Sequence, residues 1–175
     1  MASGRTHAAV TVVASTLIAA SAIEYGPTML PVSIGCMIGL IINNDLDVDG
    51  VTHSEALVRR NVGGLIGALW FLLWYVYARW IPHRDWKSHA PVVSTIIRLM
   101  YLTPLFLLAY LVAEYYLPGL AWPFLIAHQA NILLGIVGLI ISDSLHTLFD
   151  TRLITNIGRE IVRVTNFFFR TRLQY

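Results

Sequence analysis

The fold class this sequence predicts is an all-α integral membrane protein. It would have four transmembrane helices in two hairpins, one re-entrant or interfacial aromatic helix, and a C-terminal basic amphipathic helix. Three observations carry the prediction. Hydrophobic residues make up 57% of the 175 and charged ones 13%, against roughly 25% charged in soluble domains, and the mean hydropathy is +0.66. The apolar residues gather into long runs separated by short polar knots. Lys and Arg are missing from two of the turns between runs, as the positive-inside rule expects of turns on the far side of a membrane. The length suits one domain, so residues 1–150 read as a single membrane domain and 151–175 as a tail.

Residues 8–23 are apolar or small throughout, and Glu24-Tyr25-Gly26-Pro27 ends the run as a Pro-containing turn should. Residues 28–42 form a second run, closed by Asn43-Asn44-Asp45. Both fall short of the ~20 residues a spanning helix needs, but come near the usual range once their flanks are counted. Gly35, Gly39, Ala19, Ala20 and Ser21 suit close helix approach, so the pair reads as a transmembrane hairpin. No cleaved secretory signal is expected, because Arg5 alone is a thin basic region and no small-residue cleavage site closes the first run. Cys36, the single cysteine, cannot form an internal disulfide and reads as a small core residue. Residues 92–117 and 120–142 form the second hairpin, turning at Pro118-Gly119.

Residues 62–81 are the difficult segment, since hydropathy alone makes them a fifth span. Two arguments oppose a crossing. If the segment crosses, His7, Asp45 and Asp47 lie on one face of the bilayer while His83, His89, Asp143 and His146 lie on the other. Without it, the far-side turns are 24–28 and 114–119, and neither contains Lys or Arg. The segregated arrangement obeys the positive-inside rule, with both termini in the cytoplasm. Trp70, Trp74, Tyr75, Tyr77 and Trp80 are also the side-chain types that sit at headgroup level. The segment therefore reads as re-entrant or interfacial, with an ordinary fifth span as the alternative.

Beyond Asp150 the chain alternates Arg152, Arg159, Arg163, Arg170 and Arg172 with apolar residues. Ile154, Ile157, Ile161, Val164 and Phe168 recur at helical spacing, which suits a basic amphipathic helix on an anionic surface. The net charge of +2 is too small to argue for a nucleic-acid partner, and no Walker or dinucleotide glycine pattern is present.

Four polar knots lie at the ends of apolar runs: Thr6-His7, residues 43–49, residues 83–91 and residues 143–150. Ionisable groups at the edge of hydrocarbon are costly, so they point to function. Asp143, His146 and Asp150 fall at i, i+3 and i+7, one face of a helix. Asp45 and Asp47 would aim at one point if Leu46 turns aside. His83 and His89 flank a loop, and His7 completes a set of seven candidate ligands: His7, Asp45, Asp47, His83, His89, Asp143 and His146. Imidazole with carboxylate suits one or two divalent ions, zinc first, with manganese or iron as alternatives. Arg84 is placed to hold a substrate anion and Ser88 to hydrogen-bond a ligand or substrate. Asp49 and His53 are reserve ligands. His128 lies too far from Asp143 along one helix to join them, and Glu24 and Glu114 read as solvated turn residues.

The ordered set S-G-R-T-H, D-L-D, H-R-x-x-x-S-H-x-P and D-x-x-H-x-x-x-D resembles a bacterial family of metal-binding membrane proteins of undetermined function. It is more distantly similar to the LexA-binding inner-membrane-associated hydrolases, described as membrane-bound and metal-dependent. The matching positions are His7, Asp45, Asp47, His83, Arg84, Ser88, His89, Asp143, His146 and Asp150, with Asn44 standing where the family usually carries Pro. Two functions follow as expectations. The first is a metal-dependent hydrolase with its site at the cytoplasmic face of the inner membrane, acting on a phosphoester or lipid-linked substrate. The second is a non-catalytic membrane subunit of a larger assembly, with a structural metal or none.

Overall fold

The computed structural model describes residues 3–48, 50–81 and 90–150. They form helices throughout: α1 (Gly4–Tyr25), α2 (Met29–Ile38), a 3-10 turn (Asn44–Asp47), α3 (His53–Val62), α4 (Gly64–Trp80), α5 (Pro91–Tyr116) and α6 (Ala121–Asp150). Three of these, α1, α5 and α6, are long and apolar enough to cross a membrane. Only 11% of the apolar window is buried inside the protein in α5, and the same in α6. Large side chains such as Phe106, Leu111 and Leu133 are left for another apolar medium to cover. The amphipathic helix expected over 151–175 lies outside the described residues.

Ser3 starts α1, its hydroxyl accepting from the Thr6 amide at 3.2 Å. Gly26 ends it at φ 88°, a left-handed value open to glycine, and the chain reverses into α2. The regular part of α2 is 10 residues, about 15 Å long. This is shorter than the spanning helix expected over 28–42. The chain carries on to Ile42 in hydrogen-bonded turns, with the Leu40, Ile41 and Ile42 amides donating to Met37 and Ile38 carbonyls at 2.9–3.0 Å.

Of the small residues expected to pack closely, Gly35 and Gly39 do so, against α6. A methyl group added at Gly35 would strike the Gly135 carbonyl, and one at Gly138 would strike the Val32 carbonyl, so α2 and α6 touch backbone to backbone. Ser15 and Ser33 donate to each other's carbonyls at 3.0 and 2.9 Å and tie α1 to α2. Cys36 is fully buried there, a core residue as expected.

The aromatic segment is divided. Val62 closes α3, Gly63 takes φ 93°, and α4 begins at Gly64. The reversal packs Gly67 against the Arg59 backbone. Along α4, Trp74 and Tyr77 are buried with Leu46 of the 3-10 turn and Leu102 of α5. The Tyr101 hydroxyl donates to the Leu73 carbonyl at 2.5 Å. Thus α4 lies against α3, the 3-10 turn and α5, and its outer side chains Leu65, Leu69, Leu72 and Trp80 are exposed.

Candidate metal centre

The site assembles where three chain ends meet: the start of α1, the 3-10 turn and the end of α6. On α6 the i, i+3, i+7 spacing groups Asp143, His146 and Asp150 on one side of the helix, and His146 and Asp150 meet the turn and α1. Below the site, Thr11 Oγ1 and Ser142 Oγ lie 3.4 Å apart. Thr11 follows His7 by four residues and Ser142 precedes His146 by four, so this contact, one turn from each imidazole, fixes the register of His7 against His146. The two imidazoles stack, centroids 3.7 Å apart and planes 13° from parallel.

The 3-10 turn is built to present Asp45. Asn43 accepts from the Asp45 amide at 3.1 Å, which caps the turn. Asn44 is buried and bridges two helices, donating to Thr147 Oγ1 at 3.3 Å and accepting from Ser94 Oγ at 3.0 Å. Leu46 does turn aside, into the aromatic core. Asp45 Oδ1 then lies 3.2 Å from His146 Nε2.

The remaining carboxylate, Asp150, faces both rings. Its Oδ1 is 3.1 Å from His7 Nε2 and its Oδ2 is 3.8 Å from His146 Nε2. His7, His146 and Asp150 each offer a ligand atom within 4.8 Å of the others. His146 Nε2 is buried and makes no aligned hydrogen bond, despite two carboxylate oxygens beside it. Two imidazoles with carboxylates are a donor set for zinc, manganese or iron. Burial pushes the Asp45 carboxyl up, but the nearby His146 and His7 imidazoles outweigh it and hold the group below its usual value.

The model of the uncharacterized metal-binding protein family DUF2227 matches residues 2–159. The chain belongs to this family. No curated protein and no solved structure matches it. DUF2227 membership bears out metal binding; it does not extend to the LexA-binding hydrolases. In this DUF2227 chain His7, His146 and Asp150 can hold a metal ion, with Asp45 against His146.

Of the seven ligands expected from the sequence, His7, Asp45 and His146 converge. Asp143 does not join them among the described residues: it is fully buried and accepts from Arg98 Nη2 and Thr95 Oγ1 of α5. Asp47 is 2% exposed and, among the described residues, is not one of the convergent group. His83, His89, Arg84, Ser88 and Asp49 lie outside the described residues. His53 opens α3 beside Gly4, and burial, with Arg5, holds its imidazole below the usual value. His128 is exposed, its Nδ1 donating to the Phe124 carbonyl at 2.9 Å, and Glu114 caps the far turn by accepting from the Gly119 amide at 2.7 Å.

Sequence reasoning placed Asp150 on the site face of α6 but left it out of the ligand set. Arg98 was visible as a charge inside an apolar run, which is the signal that could have paired it with a buried carboxylate. Nothing in the sequence marks Thr95 or the bridging role of Asn44.

Proposed function

We propose that this protein is a membrane-embedded, metal-dependent hydrolase acting on a phosphoester or lipid-linked substrate, with its site at the cytoplasmic interface. The observation that carries the reading is the convergence of His7, Asp45, His146 and Asp150 from three segments. The cluster is not sealed. The Asp45 side chain is 23% exposed while that of His146 is 4%, so one side of the site is reachable, as a catalytic rather than a closed structural site requires.

A divalent ion held there would act as a Lewis acid on a phosphoester or ester. The chain's own residues do the rest. Stacking holds both imidazoles in one orientation. Asp150 fixes their Nε2 edges toward one point. Asp45, kept ionised by His146 and set at the mouth, can accept a proton from an incoming water. Arg84 would clamp the substrate anion and Ser88 would hydrogen-bond it.

The four-crossing topology rests on parity. His53 sits against Gly4, at the site face, and Ser94 is back at that face, bonded to Asn44. A single crossing by 64–80 would put them on opposite sides, which supports an interfacial or re-entrant α4. By the same argument residues 28–42 return across the membrane, from the far end of α1 to Asn44. The absence of Lys and Arg from the far turns supports cytoplasmic termini.

The deciding experiment measures bound metal in the purified protein and then turnover of a chromogenic phosphodiester before and after chelation. Activity that is lost with the metal and restored with it supports the reading. A stoichiometric metal with no turnover of phosphoesters or esters overturns it in favour of a structural metal.

A further inference from the structure

Below the polar site, α5 and α6 part to form an apolar groove of about 1350 Å³. This exceeds the ≈ 300–1,000 Å³ of small-molecule pockets. Along α5 its lining runs from Ile96 to Leu117, about 32 Å at 1.5 Å per residue, close to the thickness of a bilayer's hydrocarbon core.

Both helices that wall the groove run on to the site. On α5, Leu99, Thr103, Phe106 and Tyr110 follow Thr95 at helical spacing, and Thr95 bonds Asp143. On α6, Leu125, Ile132 and Ile136 lie on the stripe that continues to Asp143, His146 and Asp150. Polar groups on the walls are turned to their own helices: Thr103 donates to the Leu99 carbonyl at 3.1 Å and His128 to that of Phe124 at 2.9 Å.

Arg98 lies on α5 between Ile96 and Leu99, which line the site end of the groove, and is itself 1% exposed. One of its nitrogens donates to Asp143, but Nε and Nη1 are buried with no hydrogen-bond partner. Buried guanidinium donors are costly unless an acceptor reaches them. Buried cationic donors thus lie next to one end of the lining, with an apolar channel of membrane length beyond.

We propose that the α5–α6 groove binds an anionic lipid with a long hydrocarbon chain, its carboxylate or phosphate head at Arg98 and its tail along Leu99, Phe106 and Ile132. The complementarity is of polarity and of length, and no covalent step is involved. The inference rests on the membrane placement above and names the substrate class for the neighbouring site. It does not need that site to be catalytic.

The test uses the full chain in neutral detergent with three pyrene-labelled probes of equal length: a fatty acid, an alkyl phosphate and an alkyl alcohol. The two anionic probes should bind at least tenfold more tightly than the alcohol, and the better of them identifies the head. Ala109→Trp, or Ala127→Trp from the opposite wall, should abolish binding while leaving metal content and melting temperature at wild-type values. Arg98→Lys keeps the charge facing Asp143 but removes the Nε and Nη1 donors, and should erase the preference over the alcohol. Unchanged binding in both tryptophan variants overturns the inference, as does an alcohol held as tightly as the acids. Cross-linking between copies through Ile132→Cys that the lipids fail to suppress also overturns it, in favour of a second copy on this face. Probe binding without hydrolysis would sink the hydrolase and leave the groove standing; turnover of a soluble phosphodiester without probe binding would do the reverse.

Discussion

Asp150 meets His7 from 143 residues further along the chain: its Oδ1 lies 3.1 Å from His7 Nε2. Its other oxygen faces His146 Nε2 at 3.8 Å, so one carboxylate spans the edges of two stacked rings. The contact clamps the first turn of α1 to the last turn of α6, and it is geometrically ready to become shared ligation of one ion.

Removing any member of that trio should therefore lower metal affinity and fold stability together, because metal bound only by the folded state adds its binding energy to folding. Asp150→Ala and His146→Ala should each cut the metal-to-protein ratio roughly tenfold or more, with a lower melting temperature that added metal no longer raises. Elemental analysis beside thermal unfolding decides this; a full metal complement in both variants would remove them from the ligand set.

Arg98 and Asp143 call for a different outcome. Both are buried, at 1% and 0% side-chain exposure, and breaking such a pair leaves an uncompensated charge. Arg98→Met or Asp143→Leu alone should cost roughly 3–5 kcal/mol, while the double variant should recover most of it. Metal content should survive in the double variant, because Asp143 lies outside the convergent cluster. Equal damage in single and double variants, measured by denaturant unfolding in micelles, would mean that the pair is not the unit of stability.

The α2–α6 seam predicts intolerance to one carbon. Gly138→Ala would drive its methyl into the Val32 carbonyl and Cys36 amide, and backbone cannot move aside as a side chain can. The helices must separate, with a cost of about 1–3 kcal/mol by analogy with overpacked cores. Gly119→Ala meets open space but sits at φ 78°, so it should be strained only locally and leave the metal in place. Thermal unfolding of the two variants side by side separates these effects.

Much of this was legible in the sequence. Apolar runs located α1, α5 and α6, because lipid requires uninterrupted helices and the composition records it. The small residues Gly35 and Gly39 announced close packing, though not the partner. His7, Asp45 and His146 could be grouped because polar residues at the edge of hydrocarbon are too costly to be incidental. Asp143 misled: on spacing alone it is indistinguishable from Asp150, and only the tertiary position of Arg98, forty-five residues away, tells them apart. The break at Gly63 was hidden within an apolar stretch, since hydropathy reports burial and not the reversal that a positive φ allows.

Parity makes the topology testable. Reporter fusions within the turn after Tyr25 and at Pro118 should read periplasmic, and a fusion after Trp80 cytoplasmic. Moving two arginines into the 114–119 turn should disturb insertion, since basic residues resist translocation. A periplasmic signal after Trp80 would require α4 to cross and would separate His53 from Ser94.

Asp45 distinguishes a catalytic from a purely structural metal. It is the most exposed of the four converging side chains, at 23% against 14% for Asp150, 7% for His7 and 4% for His146. Burial raises its carboxyl, but His146 and His7 lower it further, so the folded value lies below the unfolded one. A depressed carboxylate contributes stability that is present above the unfolded pKa of ~3.9 and is lost as pH falls through the folded value. Asp45→Asn should therefore be less stable than wild type at neutral pH, and the difference should close in acid below about pH 4. The metal then separates the two roles. If Asp45 serves turnover at the mouth of the site, His7, His146 and Asp150 still hold the ion in Asp45→Asn, metal content stays near wild type, and phosphodiester turnover falls by about 10²–10⁴-fold, as loss of a general base does. If the ion only fastens α1 and the turn to α6, all four ligands are needed. Metal content and melting temperature then fall together, and no substrate reports a change that the lost metal does not explain.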